Sequence, residues 1–273
     1  MSSCRPRLFR VSRAAALILV LASAAFAPHA LQAASKFSYE DWSKVLGKYV
    51  DARGYVNYDA LAKDRADLDR FVAAIEKTSP RSNPEMFPAK NDKLTYWLNA
   101  YNAEVFKGVL ARGPEKESVW KGGLISGAKF FVGMDIVLGG EKLNLKKLED
   151  KTVREEFKDP RIHAALNCAS KGCPRLPAVA FDPEKLDEQL DAGMRGFVAE
   201  ARNVTIDDAA KTVSLSKILD WFSGDFISYE KAHGDPNGTQ VDYVNRYRGT
   251  LPKIPKGYAM KFFEYDKSVN RQQ

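Results

Sequence analysis

The stretch Ile162 to Leu176, IHAALNCASKGCPRL, sets His163 five residues before Cys168, and Cys173 five residues further on. Three chemistries fit these residue types. Two cysteines so close can join in a disulfide, with Lys171-Gly172 and Pro174 supplying the turn that a small ring needs. A histidine and two thiolates can hold a metal ion, but the H-x4-C-x4-C spacing lacks the short cysteine knuckle of structural zinc sites, so no metal or cofactor is assigned. A cysteine beside a basic histidine can act as a nucleophile, provided the two side chains meet within hydrogen-bond reach. Arg161, His163, Lys171 and Arg175 make the neighbourhood electropositive, which lowers a thiol pKa. The thioredoxin-type C-x-x-C is absent.

Asn99 and Asn102 raise a second question. They sit three apart in the apolar run YWLNAYNAEVF, where asparagine is a poor helix former and a buried amide must find partners. One reading has them bond an adjacent loop, the cysteine loop included. The other has Asn99 orient a catalytic His163 or donate to an oxyanion, as the asparagine of papain-like enzymes does. Asp266, near the end of the chain, is placed to cap the last turn or to join a polar cluster with His163.

The elements that must position these residues follow from periodicity. Trp42, Val45, Leu46 and Val50 share one face of a helix over Ser38 to Val50, with Ser38 as N-cap. A second helix is expected over Asp59 to Lys77 and a strongly apolar one over Asp92 to Leu110. A Gly-rich loop follows. Gly139-Gly140 marks a hairpin, and NLKKLEDKTVREEF restores helical spacing. Asp182 and Pro183 open a helix running to Arg202. NVTIDDAAKTVSLS reads as a second hairpin, SKILDWFSGDF as a helical turn capped by Ser216, Val241 to Tyr247 as a helix and AMKFFEYD as a strand. Helices and hairpins without a βαβ rhythm predict an α+β fold: helices packed on a small, mostly antiparallel sheet.

The chain has 273 residues, 42 basic and 35 acidic, for a net charge of +7. Its first 33 residues carry four arginines and no acid ahead of an apolar run, Ala14 to Ala27, and end in small residues, which is the pattern of a cleavable secretory signal peptide. The apolar run is short for a bilayer span, so no stable membrane insertion is expected after cleavage. Subtracting those four arginines from the 42 basic residues leaves 38 against 35 acids, an excess too thin and scattered for nucleic acid. Residues 34–273 then read as one exported, soluble domain, in the periplasm or secreted. An oxidising compartment favours the disulfide.

Four motifs in order, YWLNAYNA, DPRIHAALNCASKGCPRL, SKILDWFSGDF and YDKSVN, resemble the domain of unknown function 547 family over about residues 92–270. The resemblance implies the same domain type and brings no settled activity. Lys267 departs from the aromatic residue expected at its position, which puts a packing or binding role there in question. Two readings of function stand together. In one, a polar site near His163, Cys168 and Cys173, with Asn102, Arg161, Lys171, Arg175 and Asp266 around it, binds an envelope ligand or protein partner. In the other, Cys168 or Cys173 is the nucleophile of a thiol-dependent hydrolase or acyl transferase, with His163 as base and Asn99 as orienter.

Overall fold

The longest helix is built from the apolar run that holds the two asparagines. In the computed structural model this helix, α4 (Lys90–Arg112), buries residues around its whole circumference, including the polar Thr95, Asn99, Asn102 and Glu104. The model describes Met1, residues 36–120 and residues 126–272; the expected signal peptide lies outside the described residues beyond its first residue. Against α4 pack α1 (Glu40–Tyr49), α2 (Tyr58–Lys63) and α3 (Ala66–Lys77), which present Trp42, Leu46, Leu61, Leu68, Phe71 and Ile75. The expected helix over 59–77 is broken at Asp64, whose φ of −143° is not helical and whose carbonyl accepts the Tyr49 hydroxyl at 2.8 Å. α1 starts two residues later than expected, though the Ser38 hydroxyl still accepts the Glu40 N–H.

After α4 come a short helix the sequence did not predict, α5 (Ser126–Phe131), and the hairpin β1 (Asp135–Leu138) and β2 (Glu141–Asn144). Gly139 and Gly140 have φ of +57° and +80°, the left-handed pair that a two-residue hairpin turn requires. The following helix is irregular. α6 (Leu145–Lys147) passes into a π-helical segment, Leu148–Arg154, and then α7 (Glu155–Phe157). A wide π turn is uncommon and frequently marks a functional site.

A 3-10 turn, Pro160–Ala164, leads to the cysteine ring; then come α8 (Leu186–Ala199), β3 (Val204–Asp207), β4 (Thr212–Leu215), α9 (Lys217–Trp221), α10 (Ser223–Ala232), α11 (Gln240–Tyr247) and β5 (Ala259–Phe262). Asp182 accepts the Glu184 N–H in a turn ahead of α8, so the helix expected from Asp182 begins later. The fold is α+β, with two small sheets in place of one. β3 and β4 are antiparallel, whereas β5 runs parallel to β4. A parallel neighbour needs a long crossover, which α9 to α11 supply.

The core has two parts. One surrounds α4; the other gathers Met194, Phe197, Leu215, Leu219, Phe226 and Tyr243 from the second half. The 3-10 turn lies at their seam, giving Ile162 to the first and Ala164 to the second. Among the described residues no helix is long and apolar enough to cross a membrane.

Candidate functional site

Cys168 and Cys173 form a disulfide. The ring is fixed by buried amides. Asn102 on α4 donates Nδ2 to the Ala165 carbonyl at 3.0 Å and accepts the Asn167 N–H at 2.9 Å. Asn167 in turn donates to the Pro174 carbonyl at 2.7 Å and accepts the Ala169 N–H at 2.9 Å and Asn270 Nδ2 at 3.2 Å. Asn270 accepts the Tyr58 hydroxyl. Ala169 takes the left-handed conformation, φ +59°, that turns the chain into the ring. Residues near the end of the chain clamp it from the other side: Lys171 N–H donates to the Ser268 carbonyl and Gly172 N–H to the Asp266 carbonyl. A Cβ at Gly172 would lie 2.7 Å from the Tyr265 ring, so only glycine lets the ring pack so close. The Tyr265 hydroxyl meets both sulfurs, at 3.0 Å from Cys168 and 3.1 Å from Cys173.

His163 leaves the 3-10 turn into the seam between the two cores. Its Nε2 lies 2.8 Å from Asp225 Oδ2, and its ring stacks on Phe222 at 4.1 Å between centroids. Nδ1 has no partner among the described residues. Burial lowers the imidazole pKa against the opposing pull of Asp225, so the ring is held neutral. Burial also opposes ionisation of Asp225, but hydrogen bonds from His163 and Arg154 outweigh it and hold that carboxyl well below the usual range. Arg154 reaches Asp225 from the π segment at 2.8 Å.

His163 and both cysteines line one cavity of about 110 Å³. Its walls are aromatic: Tyr101 from α4, Trp120, Trp221, Phe222 and Tyr265. Trp221 remains 46% exposed beside it. The π segment adds one acid, Glu149, whose nearest partner is the Tyr101 hydroxyl at a long 3.4 Å. Glu149 keeps some accessible surface, yet the protein packed around it withholds most water. Burial, with the Asp150 charge adding to it and Arg154 opposing, pushes the Glu149 carboxyl up to about 7. Among the described residues lining this cavity there is no lysine or arginine.

Arg161, Lys171 and Arg175, expected from sequence to make the cysteines electropositive, do not line the cavity, and the guanidinium that meets the ring is that of Arg202, which donates to the Lys171 and Cys173 carbonyls. Arg161 points away, into an ion cluster with Asp159, Asp187 and Asp191 at 2.6, 2.8 and 2.9 Å. Arg175 pairs with Glu200, and Lys171 takes part in the ring through its backbone. Asn99 does not orient His163: its amide donates to the Phe181 carbonyl at 2.9 Å and accepts the Phe181 N–H at 3.0 Å. Asp266 accepts the Ser268 N–H in a tight turn, and the carboxylate facing His163 is Asp225. Lys267 lies over the Trp120 ring at 5.8 Å. His233 stacks on Tyr229, and among the described residues no three His, Cys, Asp or Glu side chains gather as a metal site.

Each of the four sequence motifs sends a residue to the cavity or to the carboxylate behind it. Tyr101 comes from the first, His163 and the cysteines from the second, Trp221, Phe222 and Asp225 from the third, and Tyr265 from the fourth. Residues 85–198 match the model of the family described as protein of unknown function, DUF547. Over that segment the chain is similar to DUF547. The matched DUF547 segment holds Tyr101, Glu149, His163 and both cysteines, whereas the third and fourth motifs, expected within 92–270, lie beyond it. No curated protein and no solved structure matches the chain.

Proposed function

We propose that this protein is an exported binding module of the cell envelope, which seats a small ligand in the aromatic cavity beside the Cys168–Cys173 ring. The observation that carries the reading is the cavity itself: a preformed space lined by tryptophan and tyrosine, with a rigid ring as one wall and a few convergent polar groups. Ligand sites have this make-up. The joined cysteines suit an oxidising compartment and leave no thiolate to attack a substrate. The lining, with Glu149 and no lysine or arginine among the described residues, favours uncharged or cationic ligands over anions.

Two measurements test it. Alkylation of the native protein, read by mass with and without reductant, is expected to find both thiols blocked until reduction. A panel of small ligands screened by tryptophan fluorescence is expected to give saturable quenching that Trp221→Ala abolishes. No saturable ligand among uncharged and cationic compounds sinks the binding reading.

The Asp225–His163 pair favours a second reading, a thiol-dependent hydrolase or acyl transferase, because a carboxylate-held imidazole facing two cysteines is the arrangement of a general base. It requires reduced cysteines. Acylation of Cys168 or Cys173 by an activated thioester, faster after reduction and lost in His163→Ala, would favour it.

A further inference from the structure

The two sulfurs of the ring are unequal. Cys173 is 3% exposed and its Sγ alone receives the Cys168 backbone N–H, at 3.0 Å, while the Tyr265 hydroxyl is shared between the sulfurs, 3.1 Å from Cys173 and 3.0 Å from Cys168. Cys168 is only half-buried and faces the cavity. A disulfide sulfur is a weak acceptor, and two donors converging on one sulfur stabilise it most when it carries a negative charge.

The ring also keeps its place by other means. Backbone bonds from Lys171 to Ser268, from Gly172 to Asp266 and from Asn270 to Ala169, and the Asn167 side chain on Pro174, hold both ends of the loop without the sulfur bond. Opening the bond therefore leaves the loop in position. Across the cavity stands Glu149, with no ion pair to any described residue. A carboxyl so placed can take up and release a proton near neutral pH.

We propose that the Cys168–Cys173 disulfide exchanges with a small organic thiol that enters the cavity, and that Glu149 carries the proton between the entering thiol and Cys173. The thiol passes its proton to the Glu149 carboxylate, and its sulfur attacks Cys168 Sγ. A bond forms between the thiol sulfur and Cys168, and the Cys168–Cys173 bond breaks. The electron pair stays on Cys173, where the Cys168 N–H and the Tyr265 hydroxyl hold the thiolate until Glu149 returns the proton. A second thiol molecule attacks the outer sulfur of the mixed disulfide and releases Cys168 as a thiol. Two thiols are thereby oxidised to one small disulfide, and the protein disulfide is reduced to two thiols. The reverse sequence with a small disulfide closes the ring again. A cavity of about 110 Å³ whose described lining holds one acid and no lysine or arginine admits a thiol of a few heavy atoms that carries no negative charge.

The exchange rests on the binding reading only in needing the cavity to be entered. The test is to incubate the native oxidised protein with cysteamine or with mercaptoacetate at neutral pH, quench by alkylation and follow the masses. Cysteamine is expected to open the ring while the far-UV spectrum stays native, and mercaptoacetate to do so roughly tenfold more slowly or less. In Cys173→Ser, where Cys168 is left a free thiol, the mixed disulfide on Cys168 is expected from cystamine, the disulfide of cysteamine, with one cysteamine thiol released; should that variant not fold, peptide mapping of the wild-type protein after substoichiometric cysteamine reads the attachment. Glu149→Gln is expected to slow exchange by roughly tenfold or more and to flatten its pH dependence between about pH 5 and 8, without lowering the melting temperature. Reduction only under denaturant overturns the proposal, as does attachment at Cys173 or an unchanged rate in Glu149→Gln. A ligand that quenches the tryptophans while the ring resists every thiol leaves binding standing and overturns exchange alone.

Discussion

Asp225 holds His163 from behind, carboxylate oxygen to Nε2 at 2.8 Å, while Arg154 holds the same carboxylate from the π segment. The carboxylate aims the imidazole, and burial keeps it neutral against the pull of Asp225. Its pKa lies below the ordinary value of 6.5, so the unfolded chain binds a proton that the folded one refuses as pH drops below about 6.5. This group therefore costs stability as acidity rises. In Asp225→Asn the raising influence is gone and the imidazole pKa is expected to fall further, by NMR titration. The variant is expected to lose about 2 kcal/mol in urea unfolding, since Arg154 is left half-paired in a partly exposed place.

Glu104 on α4 is buried with its Oε2 3.3 Å from Lys107 Nζ. Burial, opposed by Lys107, pushes its carboxyl up to about 7 from an ordinary 4.5. Between those values the native state holds a proton that the unfolded state has lost, so this group's contribution declines as pH rises through the window. Glu104→Gln removes the decline. Relative to the wild type, the variant is expected to gain about 2 kcal/mol on going from about pH 5 to pH 8, measured by urea unfolding at each end.

Asn99 and Asn102 lie one turn apart and hold different segments. Asn102→Ala strands the Ala165 carbonyl and the Asn167 N–H and is expected to cost about 3 kcal/mol, with faster reduction of the disulfide. Asn99→Ala strands the backbone of Phe181 at a similar cost and is expected to leave the reduction rate unchanged. Urea unfolding paired with a timed thiol assay separates them.

Gly172→Ala sets a methyl group against the Tyr265 ring. The tyrosine is expected to move off the sulfurs and off Trp221, against which it packs at 4.8 Å. A loss of about 2 kcal/mol and a changed tryptophan emission are the readouts.

The disulfide and the two asparagines as loop holders were legible in the sequence because both follow from local chemistry. Close cysteines invite pairing, and buried amides demand partners. The helix limits were legible to within a few residues, except where Tyr49 reaches across to break the second helix at Asp64. Asp225 was hidden because it stands 62 residues from His163, and no spacing rule links them. Glu149 was hidden for another reason. In NLKKLEDKTVREEF it is one acid among many on a helix read from its spacing alone, and only the π segment sends it to the cavity. Arg161 and Arg175 misled because proximity in sequence placed them near the cysteines while their acidic partners drew them elsewhere. β5 was expected as a strand, but its parallel pairing rests on a crossover that no local pattern records.

Tyr265, which touches both sulfurs, follows Cys173 by 92 residues. A ribosome adding about 5 to 20 residues per second makes the cysteines roughly 5 to 18 seconds before it makes their cover. During that interval the pair lacks the tyrosine, the Asp266 and Ser268 clamps and Asn270. Early oxidation would close a ring held only by the Asn102 and Asn167 amides, whereas late oxidation closes one clamped from both sides. The order of synthesis thus makes the timing of sulfur bonding a matter of quality control, and a chain cut short before Tyr265 would keep its cysteines uncovered.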